Sequence, residues 1–204
     1  MKKKQEGIIV VQRGDALSVT DVQYDFLPGG SLGVPEGDQV IPPLNRAIEL
    51  FQKKHLPVFF TRDWHPPDHS SFKEQGGPWP PHCVRRTGGA KFHAGLQVPK
   101  DAVIISKAVT RDSEQYSTLY GKDSRGRTEN ALMEEMGVSR LFIGGLATDY
   151  CVLHTVKDAL TEGFEVYVLT DGIRAVNVAP GDGEKALQEM AAKGAKLITT
   201  DMLQ

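Results

Sequence analysis

The sequence predicts a parallel α/β fold, a single sheet covered by helices on both faces. Three observations carry this. Short apolar runs alternate along the chain with stretches whose apolar residues recur at spacings of three and four. The apolar runs are continuous rather than alternating, the pattern of strands buried on both faces. The chain has 204 residues, 40% hydrophobic and 25% charged, which suits one well-buried core and a single domain. Strand and helix alternating at these lengths require crossover connections, and therefore parallel strands in a three-layer sandwich.

Each element has its own local reason. Residues 7–12 (GIIVVQ) read as a short strand closed by Arg13-Gly14-Asp15, and residues 16–22 as a second, running into the polar Asp21–Phe26 segment. Residues 27–38 hold four glycines and two prolines and read as loop. Residues 39–54 read as helix: Ile41, Leu44, Ala47, Ile48 and Phe51 share a face, and the two prolines fall in the first turn, where a missing N–H is tolerated. Residues 57–61 form a buried strand, and residues 102–106 another with Lys107 at its end. Residues 111–127 are polar and loop-like, anchored by Tyr116, Leu119 and Tyr120. A short helix over 128–136 stops at Gly137, and a strand over 140–144 leads into Gly145-Leu146-Ala147-Thr148-Asp149-Tyr150-Cys151. Val152, Val156, Ala159 and Leu160 then set a helical stripe ending at Gly163. A strand over 164–169, a helix over 183–193 and a last strand over 195–199 complete the chain.

Bulk properties exclude several classes. A formal net charge of −2 with mixed signs gives no electrostatic footprint for nucleic acid. No apolar run approaches membrane-spanning length, and Ile8–Val11 after the basic opening is too short for a signal-peptide core. Cys83 and Cys151, the two cysteines, are expected as reduced thiols in a cytoplasmic protein. A homo-oligomer is compatible with the sequence, which marks no interface.

Chemistry concentrates in residues 61–84, TRDWHPPDHSSFKEQGGPWPPHCV, where Asp63, His65, His69, Glu74 and His82 crowd among prolines and glycines. Asp63 and His65 stand two apart, so on extended chain their side chains leave one face, and His82 can return to them as the loop closes. One carboxylate and two imidazoles suit Zn, Fe or Mn with positions left open. Solvated loop histidines would show the same spacing. Ligands collect beyond the carboxyl ends of parallel strands, and Asp21, Asp63, Lys107 and Cys151 each follow a different strand. Cys151 also opens a helix, whose free N–H groups favour a thiolate and could hold an oxyanion. Lys107 would keep Asp21 and the thiolate charged, while Asp25 competes with Asp21 as the acid. Phe26 and Trp79 could sandwich a flat ring.

The segments DVQYDFLPGGSLGVPEGD, residues 61–84, IISKA and GGLATDYCV together resemble the nicotinamidases (pyrazinamidases) of the isochorismatase-like cysteine hydrolase superfamily, from about Ala16 onward. The resemblance implies a six-stranded, mostly parallel sheet and hydrolysis of nicotinamide to nicotinate and ammonia through a thioester. It implies Cys151 as nucleophile, Asp21 as proton carrier and Lys107 as electrostatic partner. One divalent ion, most simply zinc, would sit on Asp63, His65 and His82, with Glu74 at the place of a further ligand and Ser71 where other members carry a third histidine. Phe26 and Trp79 would flank the pyridine ring and Tyr116 close the pocket. A cis bond is implied between Leu146 and Ala147, with the N–H groups of Ala147 and Cys151 as oxyanion hole. Residues 1–13 extend beyond the family's usual first strand. Two other readings stay open: an amidase of the same superfamily acting on a ureido or carbamoyl substrate, and a metal-bearing scaffold without turnover.

Overall fold

Six parallel strands form one sheet in the order β3-β2-β1-β4-β5-β6 in the computed structural model, which describes residues 7–204. The strands are β1 (Asp15–Thr20), β2 (Val58–Asp63), β3 (Val103–Lys107), β4 (Arg140–Leu146), β5 (Glu165–Arg174) and β6 (Lys196–Ile198). The helices are α1 (Ile41–Lys53), α2 (Glu129–Glu135), α3 (Leu153–Thr161) and α4 (Asp182–Ala192). Strand order reverses at β1, so the chain leaves in opposite directions from neighbouring strands β1 and β4 and opens a crevice beyond their carboxyl ends.

Alternate residues of each strand feed two cores. Leu17, Val19, Phe60 and Phe142 meet Leu44, Ala47, Ile48 and Phe51 of α1 on one face. Ala16, Phe59, Leu141, Ile143, Val166 and Val168 meet Leu132 and Met133 of α2, Val156 and Ala159 of α3, and Met190 of α4 on the other. Each fully buried Leu, Ile or Phe contributes about 1.5–3 kcal/mol, so the sheet is held mainly by these two apolar layers. Phe142 stands edge-on to Phe51 at 5.4 Å and stacks on Tyr167 at 4.6 Å. At the opposite end from the crevice, Arg140 forks onto buried Asp15 with both contacts at 2.6 Å, across a register pair of β1 and β4. That ion pair pins the register of the two strands flanking the crevice.

The expected strand over residues 7–12 does not form. Ile9 makes only an isolated parallel bridge to Leu203, with Ile9 N–H donating to Met202 (2.8 Å), Gln204 N–H to Ile9 (3.0 Å) and Val11 N–H to Gln204 (2.8 Å). The segment is tied to the chain's last residues and adds no strand to the sheet, because Ile8 and Val10 face solvent and have no layer to bury against. Residues 1–6 lie outside the described residues. The strand expected over 140–144 runs on through both glycines to Leu146, and that expected over 164–169 continues to Arg174. Among the described residues no helix is long and apolar enough to cross a membrane.

Candidate active site

Four strand ends converge at the crevice. Asp21 follows β1 and takes the left-handed backbone conformation (φ 50°), uncommon for a residue with a Cβ. The turn aims its carboxylate back into the fold, where it is fully buried and accepts from Thr61 Oγ1 at 2.7 Å. Asp63 closes β2. Lys107 closes β3 in register with Asp63, and Ala108 after it is also left-handed (φ 51°). Cys151 follows β4. Its approach depends on Gly145, at φ 121°, where an added Cβ would lie 2.0 Å from the Thr20 carbonyl; only glycine lets β4 come this close to the end of β1. Beyond the cis Leu146–Ala147 peptide the chain makes a π-turn over Thr148–Val152, with Tyr150 and Val152 N–H both donating to the Ala147 carbonyl at 3.1 Å. Cys151 therefore sits in a wide turn ahead of α3, one turn earlier than regular helix.

Lys107 is the hub. Its ammonium, 1% exposed, lies 2.9 Å from Asp21 Oδ2 and 3.3 Å from Cys151 Sγ and is hydrogen-bonded to Asp63 Oδ1. Burial disfavours its charge, but Asp21 and Asp63 outweigh that and raise its pKa well above the ordinary lysine value. Burial likewise lifts the Asp21 carboxyl above the usual carboxylate range, with Lys107 opposing and Asp63 adding to the rise. The Cys151 thiol is pushed well up by burial, Lys107 opposing and the two carboxylates reinforcing. Burial first, and then the two flanking carboxylates, therefore act against the thiolate-favouring effect expected of a helix N-terminus.

Asp63, His65 and His82 bring three ligand atoms within 4.8 Å of one another, all buried. His65 Nδ1 donates to the His82 carbonyl (3.0 Å) and His82 Nδ1 to the Pro80 carbonyl (2.8 Å); a carbonyl only accepts, so the Nε2 lone pair is free on both rings. Burial lowers the His65 pKa to about 4 and lowers that of His82, leaving the neutral, ligating form near pH 7. Two neutral imidazoles and a carboxylate fit a divalent cation. Glu74 is not in this group; it is exposed on the turn Lys73–Gln75. His69 is buried rather than solvated, but Ser113 accepts from its Nε2 (3.1 Å) and Ser71 Oγ meets its Nδ1 (2.7 Å), so neither nitrogen is open.

A narrow cleft leads to Cys151 and the three metal-type ligands. Phe26, Trp79, Tyr116 and Ala147 line it, joined by Tyr150 and Gln115. Trp79 Nε1 donates to Tyr116 Oη at 3.1 Å, and Tyr150 stands edge-on to Trp79 at 5.1 Å.

Sequence reasoning missed the roles of the residues behind this wall. Gln23, fully buried, accepts from Asp63 N–H (2.8 Å) and donates to the Asp63 and Ala90 carbonyls (2.9 and 3.0 Å), fixing the backbone of a candidate ligand. Asp25 is placed apart from Lys107 and accepts from Cys83 N–H at 2.7 Å, anchoring the chain just after His82. Tyr150 lay in plain view in the ATDYC segment; its period as an aromatic facing a cleft is set only by the π-turn.

The comparisons agree with this frame. Residues 15–202 match the Isochorismatase domain family. The chain is 38% identical over 200 residues to the nicotinamidase of Escherichia coli, covering 90% of this chain and 94% of that protein. Its structure resembles the pyrazinamidase of Pyrococcus horikoshii solved in complex with zinc (TM-score 0.83, 47% identity, 91% of this chain and 99% of that one). It also resembles PnC1 of L. infantum solved with nicotinate (TM-score 0.86, 34% identity, 97% and 98% covered). A match that runs from the first strand to beyond the last, on the sheet order described, makes this chain a member of the isochorismatase family.

Proposed function

We propose that the chain hydrolyses nicotinamide to nicotinate and ammonia, and accepts the flat isostere pyrazinamide. The observation that carries the reading is the Lys107 ammonium lying between Asp21 and Cys151 Sγ at the floor of an aromatic cleft, beside a preformed carboxylate–imidazole group. The named activities of the E. coli and P. horikoshii relatives and the nicotinate of the L. infantum structure support the substrate class.

Asp21 and the Cys151 thiol both hold their proton more tightly than usual, so a proton passing from sulfur to carboxylate moves between groups shifted in the same direction. As Sγ attacks the carboxamide carbon, Asp21 takes that proton. The oxyanion that forms meets the N–H groups of Ala147 and Cys151. Asp21 then returns the proton to the leaving nitrogen, ammonia departs and a thioester remains. A water attacks the thioester, Asp21 accepts its proton, and the proton returns to sulfur as nicotinate leaves. Lys107 stays charged throughout and compensates the negative charge passing between Asp21 and Sγ. Phe26 and Trp79 hold the ring flat and Tyr116 keeps Trp79 in place. Asp63, His65 and His82 would hold one divalent ion, zinc first by donor set and iron or manganese as alternatives; when bound it offers the ring nitrogen a Lewis-acidic partner that orients the carboxamide over the sulfur. Two unpaired cysteines fit a reducing compartment, so we place the enzyme in the cytoplasm.

The test is ammonia release from nicotinamide, pyrazinamide, benzamide and an N-carbamoyl amino acid, with metal-loaded and chelated protein. Loaded protein is expected to turn over the first two, benzamide poorly and the carbamoyl compound not at all. Cys151→Ala should lose turnover by about three orders of magnitude or more. Normal ammonia release from Cys151→Ala would remove the nucleophile assignment, and a preference for the carbamoyl compound would overturn the substrate.

A further inference from the structure

Glu129 opens α2 with its side chain fully buried, yet takes no part in the chemistry above. Ser18 Oγ donates to its Oε1 at 2.7 Å, while Oε2 has no hydrogen-bond partner among the described residues. Leaving a buried carboxyl half satisfied is costly, and an apolar side chain at this position would avoid the cost. The hydroxyls of Thr20 and Ser117 are also buried without partners. Thr20 follows Ser18 by two on β1 and so shares its side of the strand. A polar layer thus lies directly behind the reacting groups.

Two routes lead from this carboxyl to them. Ser18 is on β1, three residues before Asp21. On the other side the Thr118 hydroxyl bears on Glu129, Thr118 N–H donates to Thr155 Oγ1 (3.0 Å), and Thr155 Oγ1 donates to the Cys151 carbonyl (2.7 Å). We propose that Glu129 is a positioning residue for the reaction: buried behind the reacting groups, it ties the strand bearing Asp21 to the loop that supports the turn bearing Cys151. This rests on the reaction proposed above.

The charged group that bears on Glu129 is Asp21; the hydroxyl of Ser18 bonds to it and that of Thr118 in the preceding loop stands nearby. Burial raises the Glu129 pKa to about 7, the neighbouring Thr118 and Ser18 hydroxyls pulling it down and Asp21 pushing it up. The carboxyl therefore changes charge across the neutral range. That change of charge alters its hold on the Ser18 hydroxyl of β1.

The pH profile of kcat/KM for nicotinamide, measured on metal-loaded protein from pH 5.5 to about 8.5, tests this. Wild type is expected to show an inflection near neutrality, and Glu129→Gln to lack it, with KM within about twofold and kcat changed by about threefold to tenfold at the ends of the range. Ser18→Ala removes a hydroxyl that favours the charge and should move the inflection to higher pH. A folded Glu129→Gln whose profile superimposes on wild type overturns the proposal. If that variant does not fold, an unmoved inflection in Ser18→Ala overturns it instead. Absence of nicotinamide turnover in wild type would be a failure of the reaction reading, not of this one. The same three proteins are then compared by the pH dependence of Cys151 alkylation with iodoacetamide, read by mass spectrometry, with the same outcomes deciding.

Discussion

Gln23 shows how much of the site rests on a side chain that never touches the cleft. It satisfies both backbone groups of Asp63 on the side of β2 where β1 has already ended at Thr20. Gln23→Ala should cost about 2–4 kcal/mol in urea denaturation, since each orphaned buried polar group costs roughly 1–3 kcal/mol. It should also weaken zinc binding by about 10–100-fold in a competition assay, the usual effect of loosening a ligand's support. Unchanged zinc affinity in a folded variant would leave Gln23 with a purely structural role. Glu129 makes a separate prediction about stability. Its folded pKa of about 7 lies above the ordinary 4.5, so between those values the folded state keeps a proton that the unfolded chain has lost. The contribution is fully present below about pH 4.5, declines as pH rises, and is gone above about pH 7. Glu129→Gln should therefore gain on wild type by on the order of 3 kcal/mol between pH 5 and pH 8 in paired denaturation curves. A pH-independent difference between the two proteins would place the folded pKa near its ordinary value.

At the scale of elements, the end of β4 decides whether nucleophile and acid can meet. Gly145→Ala would drive a Cβ into the Thr20 backbone, with no soft side chain in the way to yield. It is expected to cost more than about 3 kcal/mol or to abolish soluble expression. Gly137→Ala is the control: it too has positive φ (67°) but nothing lies within 4 Å, so about 1 kcal/mol is expected. Equal losses from the two would mean that the close approach of β4 to β1 is not what Gly145 provides. The same region shows what was legible in the sequence. α1 and the apolar cores of β1 to β4 announce themselves by period, because burial on one helix face or both sheet faces leaves little freedom at those positions. Gly145 reads as the end of the strand in isolation. Here the strand runs on through it to Leu146, because close strand packing selects glycine as strongly as a turn does. The stretch from Ile8 to Val11 reads as strand by composition, but nothing in local sequence says whether a sheet edge is open to receive it. Asp63, His65 and His82 could be grouped from spacing and residue type. Gln23, Asp25 and Glu129 could not, since their partners lie 40 or more residues away and a lone polar residue carries no periodic mark.

For the molecule as a whole, the metal-type group draws Asp63 and His65 from the end of β2 and His82 from the far side of a long loop. Closing that loop costs chain entropy that an ion held at both ends would offset. The group is shaped by the protein's own contacts: both histidines are neutral with Nε2 free, and Lys107 steadies Asp63, so little reorganisation is needed on loading. An ion that binds the folded state alone stabilises it by about 2.7 kcal/mol at a hundredfold excess over Kd. For a chain of this size that corresponds to roughly 5–10 °C in Tm. Stripping with a chelator should lower Tm by that amount and zinc should restore it. His65→Ala should remove the zinc-dependent difference while leaving the apo Tm within a few degrees. Because the His65 pKa is about 4, the zinc-dependent gain should hold steady from about pH 8 down to about pH 6 and fade only as the ring protonates in more acid solution. A Tm indifferent to zinc in wild type would mean that Asp63, His65 and His82 meet for packing reasons alone, and substrate orientation would then fall to Phe26, Trp79 and Tyr116 unaided.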